Sequence, residues 1–187
     1  MSPLITSFAD IEAKEIQWLW KPYFALKKLT LAYGTKEADL SDFMLRFTSA
    51  LSTGTIGESP CSILYFDSEK NAGWIKGRLQ AYNADLTKIS CLLDTDFAAL
   101  LKAKDEIRRT SIRTIVINGL ERLLFTKKAM KASEINTGMK QLNALAEETK
   151  CAILLGSEDI HPDGSVISRN QVEPIKRIPR SILRIER

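Results

Sequence analysis

The residues best placed to do chemistry form a short turn between an apolar run and an amphipathic segment. The turn reads Gly34-Thr35-Lys36-Glu37-Ala38-Asp39-Leu40-Ser41. In a phosphate-binding turn, backbone N–H groups surround the phosphates, a lysine reaches the terminal phosphates, and a Ser or Thr hydroxyl binds magnesium. The length of this turn fits that chemistry, whereas its residue types do not.

The elements around the turn predict an α/β fold with a mostly parallel sheet, because short apolar runs alternate with helical patterns. Strands are predicted at residues 29–33, 61–66, 86–92, 112–117 and 151–155, and late strands at 166–167 and 182–185, for which antiparallel pairing is considered. Helices are predicted at 40–51, 74–82, 96–109 and a segment that starts from Ser133 as N-cap.

Length and composition indicate one globular domain over residues 1–187, with 1–27 as an N-terminal segment and 28–187 as the core. The net charge of +4 is too small to require a nucleic-acid partner. No apolar run approaches the roughly 20 residues that cross a bilayer, and no signal peptide is recognisable. A cytoplasmic protein without a membrane partner is therefore expected.

The N-terminal segment is expected to pack against the sheet edge through its large aromatic residues, Trp18, Trp20 and Tyr23.

The cysteine and histidine residues do not form a metal-binding pattern. Cys61, Cys91 and Cys151 are far apart and odd in number, which favours buried free thiols over disulfides or a zinc site. His161 is the only histidine, and a turn-forming loop explains it and its acidic neighbours better than a metal site does.

Five pieces of the chain follow the order of a known family. They are Trp18-Leu19-Trp20-Lys21-Pro22-Tyr23, the strand into Gly34, Leu64-Tyr65-Phe66-Asp67-Ser68-Glu69, Ile75-Lys76-Gly77-Arg78-Leu79 and Arg180-Ser181-Ile182-Leu183. In this order they resemble the RecA-like ATPases of the RepA helicase type, found in bacterial and phage replication and recombination genes. The resemblance implies a RecA-like three-layer sandwich, with helices on both faces of the central sheet.

The nucleotide-binding motifs of that family are altered in this chain. Glu37 and Asp39 stand where the family has loop glycines, and Leu40 stands where it has the phosphate-binding lysine. Asn118 ends the strand on which the family carries a magnesium-holding aspartate. The remnants of the nucleotide site are Gly34, Ser41, Glu69 and Asn118. We therefore expect no ATP hydrolysis, no catalytic residue, no cofactor and no metal.

The acidic residues of the turn have a structural interpretation. Acids near a helix N-terminus are favoured by about 0.3–1 kcal/mol each. Glu37, Asp39 and Asp42 are accordingly expected to cap the following helix and to repel ATP from the same place.

The resemblance implies a non-catalytic ATPase relative that serves as a binding or assembly protein in DNA replication, recombination or repair. Its expected partners are an active paralogue, further copies of itself, or single-stranded DNA. One alternative is an ATPase with residual nucleotide binding through Ser41 and Glu69. The other is a DNA-binding module that uses Lys127, Lys128, Lys131 and the basic tail at 169–187.

Overall fold

The computed structural model describes residues 5–13, 15–34, 39–67, 71–94, 96–124, 131–158, 175–176 and 178–185. Its strands are β1 Trp18–Trp20, β2 Phe24–Ala25, β3 Leu29–Gly34, β4 Ile63–Asp67, β5 Ile89–Cys91, β6 Thr114–Asn118, β7 Ala152–Glu158 and β8 Ser181–Ile185. Its helices are α1 Leu40–Thr53, α2 Ala72–Ala81, α3 Phe97–Lys102, α4 Lys104–Arg109, α5 Leu120–Leu124 and α6 Ala132–Thr149. Within these ranges, every helix is too short or too polar to cross a membrane.

Six strands form a central sheet in the order β5-β4-β6-β7-β3-β8. All of the pairings in it are parallel, as the alternation of strand and helix patterns predicts. The antiparallel pairing considered for residues 182–185 is wrong, because β8 runs parallel to β3. The direction of an edge strand depends on how the chain arrives there, which a short apolar run does not encode. The predicted strand at 166–167 lies outside the described residues.

Helices cover both faces of this sheet, which confirms the three-layer α/β sandwich. Successive residues of a strand point to opposite faces, so Leu31 packs in one core and Ala32 in the other. One core is shared with α3, α4, α5 and α6, and the other with α1 and α2. Strand β6 divides in the same way, with Ile115 and Ile117 on one side and Val116 on the other.

Several predicted elements differ from the structure in their bounds. The helix predicted over 74–82 is α2, Ala72–Ala81. The strand predicted over 86–92 is limited to β5, because Leu86–Lys88 forms a 3-10 helix that Asp85 caps.

The helix predicted over 96–109 is divided into α3 and α4 at Ala103. Helix α6 is capped at Lys131, so the predicted N-cap Ser133 is wrong by two residues. The physical reason is that the Glu134 side chain accepts the Lys131 backbone N–H at 2.8 Å, which fixes the helix start there.

The N-terminal aromatic residues pack on α1 through a short antiparallel hairpin of β1 and β2. The rings of Trp20 and Phe24 lie 5.9 Å and 5.4 Å from that of Phe47 on α1. Tyr23 contacts the Trp20 ring at 4.9 Å but stays 45% exposed. The segment also contacts the sheet, because the Tyr23 carbonyl accepts the Thr30 hydroxyl of β3 at 3.2 Å.

The cysteines differ in their accessibility. Cys61 and Cys151 are buried free thiols, as expected. Cys91 is exposed, so the prediction of burial is wrong for this residue. Its strand β5 lies at the edge of the sheet, where one flank of the strand has no neighbouring strand to cover it among the described residues.

Candidate functional site

The candidate site lies where four parallel strands end beside the first turn of α1. In an open parallel sheet, ligands bind at the carboxyl ends of the strands. Strand register places Asp67 of β4 opposite Asn118 of β6, and Gly34 of β3 opposite Glu158 of β7. The sheet thus brings together residues that are far apart in the sequence.

Two remnants predicted from the sequence are in direct contact. The Asn118 side-chain amide donates to the Ser41 hydroxyl at 3.3 Å and to the Asp67 carboxylate at 3.5 Å. Ser41 and Asn118 are each half-buried. This arrangement links the start of α1 to the ends of two strands, and it brings two of the residues singled out from the sequence into direct contact.

Glu121 is a member of the site that sequence reasoning missed. It lies on α5 and is only 6% exposed. Burial raises the pKa of Glu121 to about 7, and the nearby Glu158 carboxylate raises it further, against hydrogen bonds from backbone N–H groups and the charge of Arg122. One of those bonds comes from the Glu158 N–H at 3.4 Å. No local pattern marks it, since it is a single acidic residue three positions after Asn118 in Asn118-Gly119-Leu120-Glu121.

The start of α1 is capped by the protein's own carboxylate. Asp39 is the N-cap, and its side chain accepts the backbone N–H of Asp42 at 3.0 Å. The prediction that Asp39 caps this helix is therefore confirmed. Glu37 lies outside the described residues, as does the rest of the turn at 35–38. Leu40, which follows this cap, is 2% exposed and packs in the core.

Asp42 is used for pairing between helices rather than for capping. It bonds Arg46 on α1 and Arg78 on α2, both at 2.6 Å, and also accepts from the Tyr82 hydroxyl. Burial opposes ionisation of Asp42, yet the pKa of its carboxyl is lowered, because the hydrogen bonds and charges of the two arginines outweigh that desolvation. The predicted capping role of Asp42 is thus replaced by ion pairs with Arg46 and Arg78, and the pair with Arg78 joins α1 to α2.

The pocket at the centre of the site is small and mostly acidic. Its volume is about 70 Å³. It is lined by Leu40, Ser41, Asp67, Asn118, Gly119, Glu121, Arg122 and Glu158. Three carboxyl groups therefore face it against one guanidinium group. Among the described residues, no group of three His, Cys, Asp or Glu side chains is arranged to hold a metal ion.

The other site residues predicted from the sequence differ in whether the structure describes them and where it places them. Glu69, Lys127 and Lys128 lie outside the described residues, and so does His161. Lys131 is exposed at the N-cap of α6. Of the basic tail, Lys176, Arg180 and Arg184 are described, and the two arginines are exposed. The structure thus brings Ser41 and Asn118 into contact, places Gly34 opposite Glu158 at the end of β3, and leaves Lys131 on a separate helix end.

The chain matches a family of known domains over most of its length. The family model described as an AAA domain matches residues 2–157. Among curated proteins, no significant match is found. The matched range contains the altered turn and the ends of β3, β4 and β6, as well as nearly all of β7.

Proposed function

Because the chain belongs to the AAA domain family of P-loop ATPase-like proteins, we propose that it is a member that does not hydrolyse ATP. Its role would be that of a binding or assembly protein linked to DNA replication, recombination or repair. The observation that carries this proposal is the contact between the Asp39 carboxylate and the Asp42 N–H at 3.0 Å. In an active relative, the amides at this helix start bind phosphate.

The side chain at the lysine position supports the same proposal. A phosphate-binding lysine has to extend from the helix start toward the terminal phosphates. Leu40 offers no charge, and its burial beside Met44 commits it to the core under α1. A nucleotide would therefore lose both a cation and a backbone donor at the same turn.

The charges that line the pocket further disfavour the binding of a nucleotide. Asp67 and Glu158 line it together with Arg122, and Glu121 adds only part of a charge near pH 7, because its pKa is raised to about 7. Two like charges about 4 Å apart repel by about 4 kcal/mol at an effective dielectric constant near 20. A polyphosphate placed here would meet such repulsion unless cations accompanied it, which favours a role without bound nucleotide.

The decisive experiment is calorimetric titration of the protein with ATP and magnesium. We expect no binding heat up to millimolar ATP for the wild-type chain. The double variant Asp39→Gly/Leu40→Lys restores the glycine and the lysine, and it should gain detectable affinity if the protein remains folded by circular dichroism. Micromolar ATP binding by the wild-type chain would overturn the proposal and favour the alternative of residual nucleotide binding.

The link to DNA has a separate test. The described and exposed basic residues of the predicted DNA-binding regions are Lys131, Arg180 and Arg184. Fluorescence anisotropy with single-stranded DNA should give binding that weakens as salt rises, since phosphate contacts release counterions. If DNA binds without nucleotide and Lys131→Glu or Arg184→Glu abolishes it, the DNA-binding module is favoured. The absence of binding at low salt would leave protein partners as the proposed ligands.

A further inference from the structure

A row of cations lies at the amino ends of four neighbouring strands, at the end of the sheet opposite the acidic pocket. Lys27 lies just before β3, Arg113 before β6, Lys150 before β7 and Arg180 before β8. All four residues are exposed. We refer to these four residues as the amino-edge cluster.

Backbone hydrogen bonds fix the positions of these residues relative to one another. The Lys27 N–H donates to the carbonyl of the residue after Lys150 at 2.9 Å, and the Arg113 carbonyl accepts the Ala152 N–H of β7 at 2.9 Å. The Arg180 N–H donates to the carbonyl of the first residue of β3 at 2.8 Å. Since neighbouring strands lie about 4.8 Å apart, the row extends over about 14 Å from β6 to β8.

The cluster keeps a positive surplus when the charges around it are counted. Among the described residues, no acid forms an ion pair with any of its four members. Glu15 and Glu58, on adjoining segments, form no described ion pair either, which leaves four cations against two acids. The other cations at this end of the sheet already have acidic partners, in the pairs Lys28–Glu147, Lys104–Glu148, Arg108–Asp105 and Arg109–Glu106.

The backbone conformation of two of these lysines favours a role for their side chains. Lys27 and Lys150 both have a φ of 60°, in the left-handed region that favours glycine. Lys150 ends α6 in this conformation, at a position that glycine usually occupies. Backbone strain of this kind is often found at sites that bind a ligand. A lysine at such a position is explained if its charge has a task that glycine cannot perform.

The residue types around the cluster favour a duplex over other polyanions. The segments that carry it, residues 26–29, 110–114, 149–152 and 178–181, contain no aromatic residue. Proteins that bind single strands stack the bases on aromatic side chains, and protein interfaces are enriched in aromatic residues. Cations alone suit contacts to backbone phosphates. A row of about 14 Å also spans a groove of B-DNA, which is about 6 or 12 Å wide.

We propose that the amino-edge cluster binds the backbone phosphates of double-stranded DNA without reading its sequence. The duplex would then lie at the end of the sheet opposite Ser41 and Asn118. This inference rests on the proposed link to DNA and assigns that link to one surface. If Lys131→Glu or Arg184→Glu abolishes DNA binding and the cluster variants do not, this inference fails while the proposed link stands. The ATP titration tests the lack of nucleotide binding independently.

The test is fluorescence anisotropy of the full-length chain with a short labelled DNA duplex over a series of salt concentrations. Four phosphate contacts should give a slope of about −3.6 for log affinity against log salt, which is a loss of about 150-fold between about 50 and 200 mM. Lys27→Gln, Arg113→Gln, Lys150→Gln and Arg180→Gln should each bring the slope about 0.9 closer to zero. Lys140→Gln is the matched control, because it removes the same charge from an exposed residue of α6 and should leave the slope unchanged.

A glycine variant separates binding from folding. Lys150→Gly should melt at the same or a higher temperature, because glycine adopts the left-handed conformation without strain, yet it should bind the duplex more weakly. Lys150→Arg keeps the charge and should keep the slope. Unchanged duplex affinity of Lys150→Gly, or no duplex binding by the wild-type chain at low salt, would overturn the proposal. So would equally tight binding of a single strand or of polyglutamate, and the latter result would favour an acidic protein partner.

Discussion

The Asn118 amide donates to the Ser41 hydroxyl across 3.3 Å, which joins the end of β6 to the first turn of α1. In a P-loop ATPase, a hydroxyl and a carboxylate at these places hold magnesium. In this protein, the Asn118 amide bonds the Ser41 hydroxyl directly. The bond makes both residues part of the packing between strand and helix.

Returning the carboxylate at position 118 should destabilise the protein. Asn118→Asp replaces a donor that lies 3.5 Å from Asp67 Oδ1 with a second negative group. We expect a loss of about 1–3 kcal/mol in the free energy of unfolding at pH 7, which shrinks as acid protonates the pair. Urea unfolding measures it, with Ser41→Ala as the control that removes only one hydrogen bond. Equal stability of variant and wild type at pH 7 would contradict this account.

Ionisation of Glu121 should lower the free energy of unfolding as pH rises toward 7. Its folded pKa, about 7, is above the unfolded value of 4.5, so folding disfavours the ionised form. The wild-type chain therefore loses stability from about pH 4.5 to about pH 7. Glu121→Gln cannot ionise, and its relative advantage should grow over that window to about 3 kcal/mol, at 1.36 kcal/mol per pKa unit.

Chemical unfolding at several pH values measures the Glu121 effect. Glu58→Gln is the control, because Glu58 is an exposed loop acid. Parallel stability curves for the wild-type chain and Glu121→Gln between pH 5 and about 7 would show that burial does not hold this carboxyl in its neutral form.

The ion pairs of Asp42 should stabilise the contact between α1 and α2 only modestly. Asp42→Asn breaks its ion pairs with Arg46 and Arg78, whose side chains are 64% and 42% exposed. Water screens such pairs, so we expect a loss of about 1 kcal/mol. The pKa of Asp42 is lowered on folding, so this contribution is present above about pH 3.8 and disappears as pH falls through the folded value.

The comparison for Asp42 is Asp105→Asn, which breaks an ion pair within α4 where the aspartate is 80% exposed. That variant should be close to neutral. If both variants cost the same at pH 7, the contact between α1 and α2 does not depend on Asp42.

The effect of the capping hydrogen bond of Asp39 on stability should be separable from the effect of its negative charge. Asp39→Ala removes the acceptor for the Asp42 N–H and should lower the free energy of unfolding by about 1 kcal/mol. Asp39→Asn keeps a side-chain oxygen and should retain most of that stability. Thermal and urea unfolding compare the three proteins. Equal losses for Ala and Asn would indicate that charge, rather than the hydrogen bond, stabilises the helix start.

Most of the fold was predicted from local patterns in the sequence. The continuous apolar runs of β3, β4, β6 and β7 and the helical spacing of α1 are local signals, because buried strands and amphipathic helices need those residues. The direction of β8 and the exposure of Cys91 were not predictable in the same way. Both depend on which strand ends up at an edge of the sheet, and this is decided by the whole topology.

The candidate site was predicted only in part for the same reason. Gly34, Ser41 and Asn118 follow from motif spacing, and the cap at Asp39 follows from its place before an amphipathic helix. Glu121 was missed because its surroundings are set by the tertiary fold, which brings it next to Glu158, 37 residues further along the chain. Contacts between residues so far apart arise from strand register rather than from any local pattern.

The placement of β8 has a consequence for synthesis on the ribosome. This strand pairs with β3, the first strand of the central sheet to be made, yet it comes from residues 181–185. Until those residues emerge from the exit tunnel, the flank of β3 that β8 covers remains open. A chain truncated before residue 181 should therefore expose this flank to pairing with foreign strands.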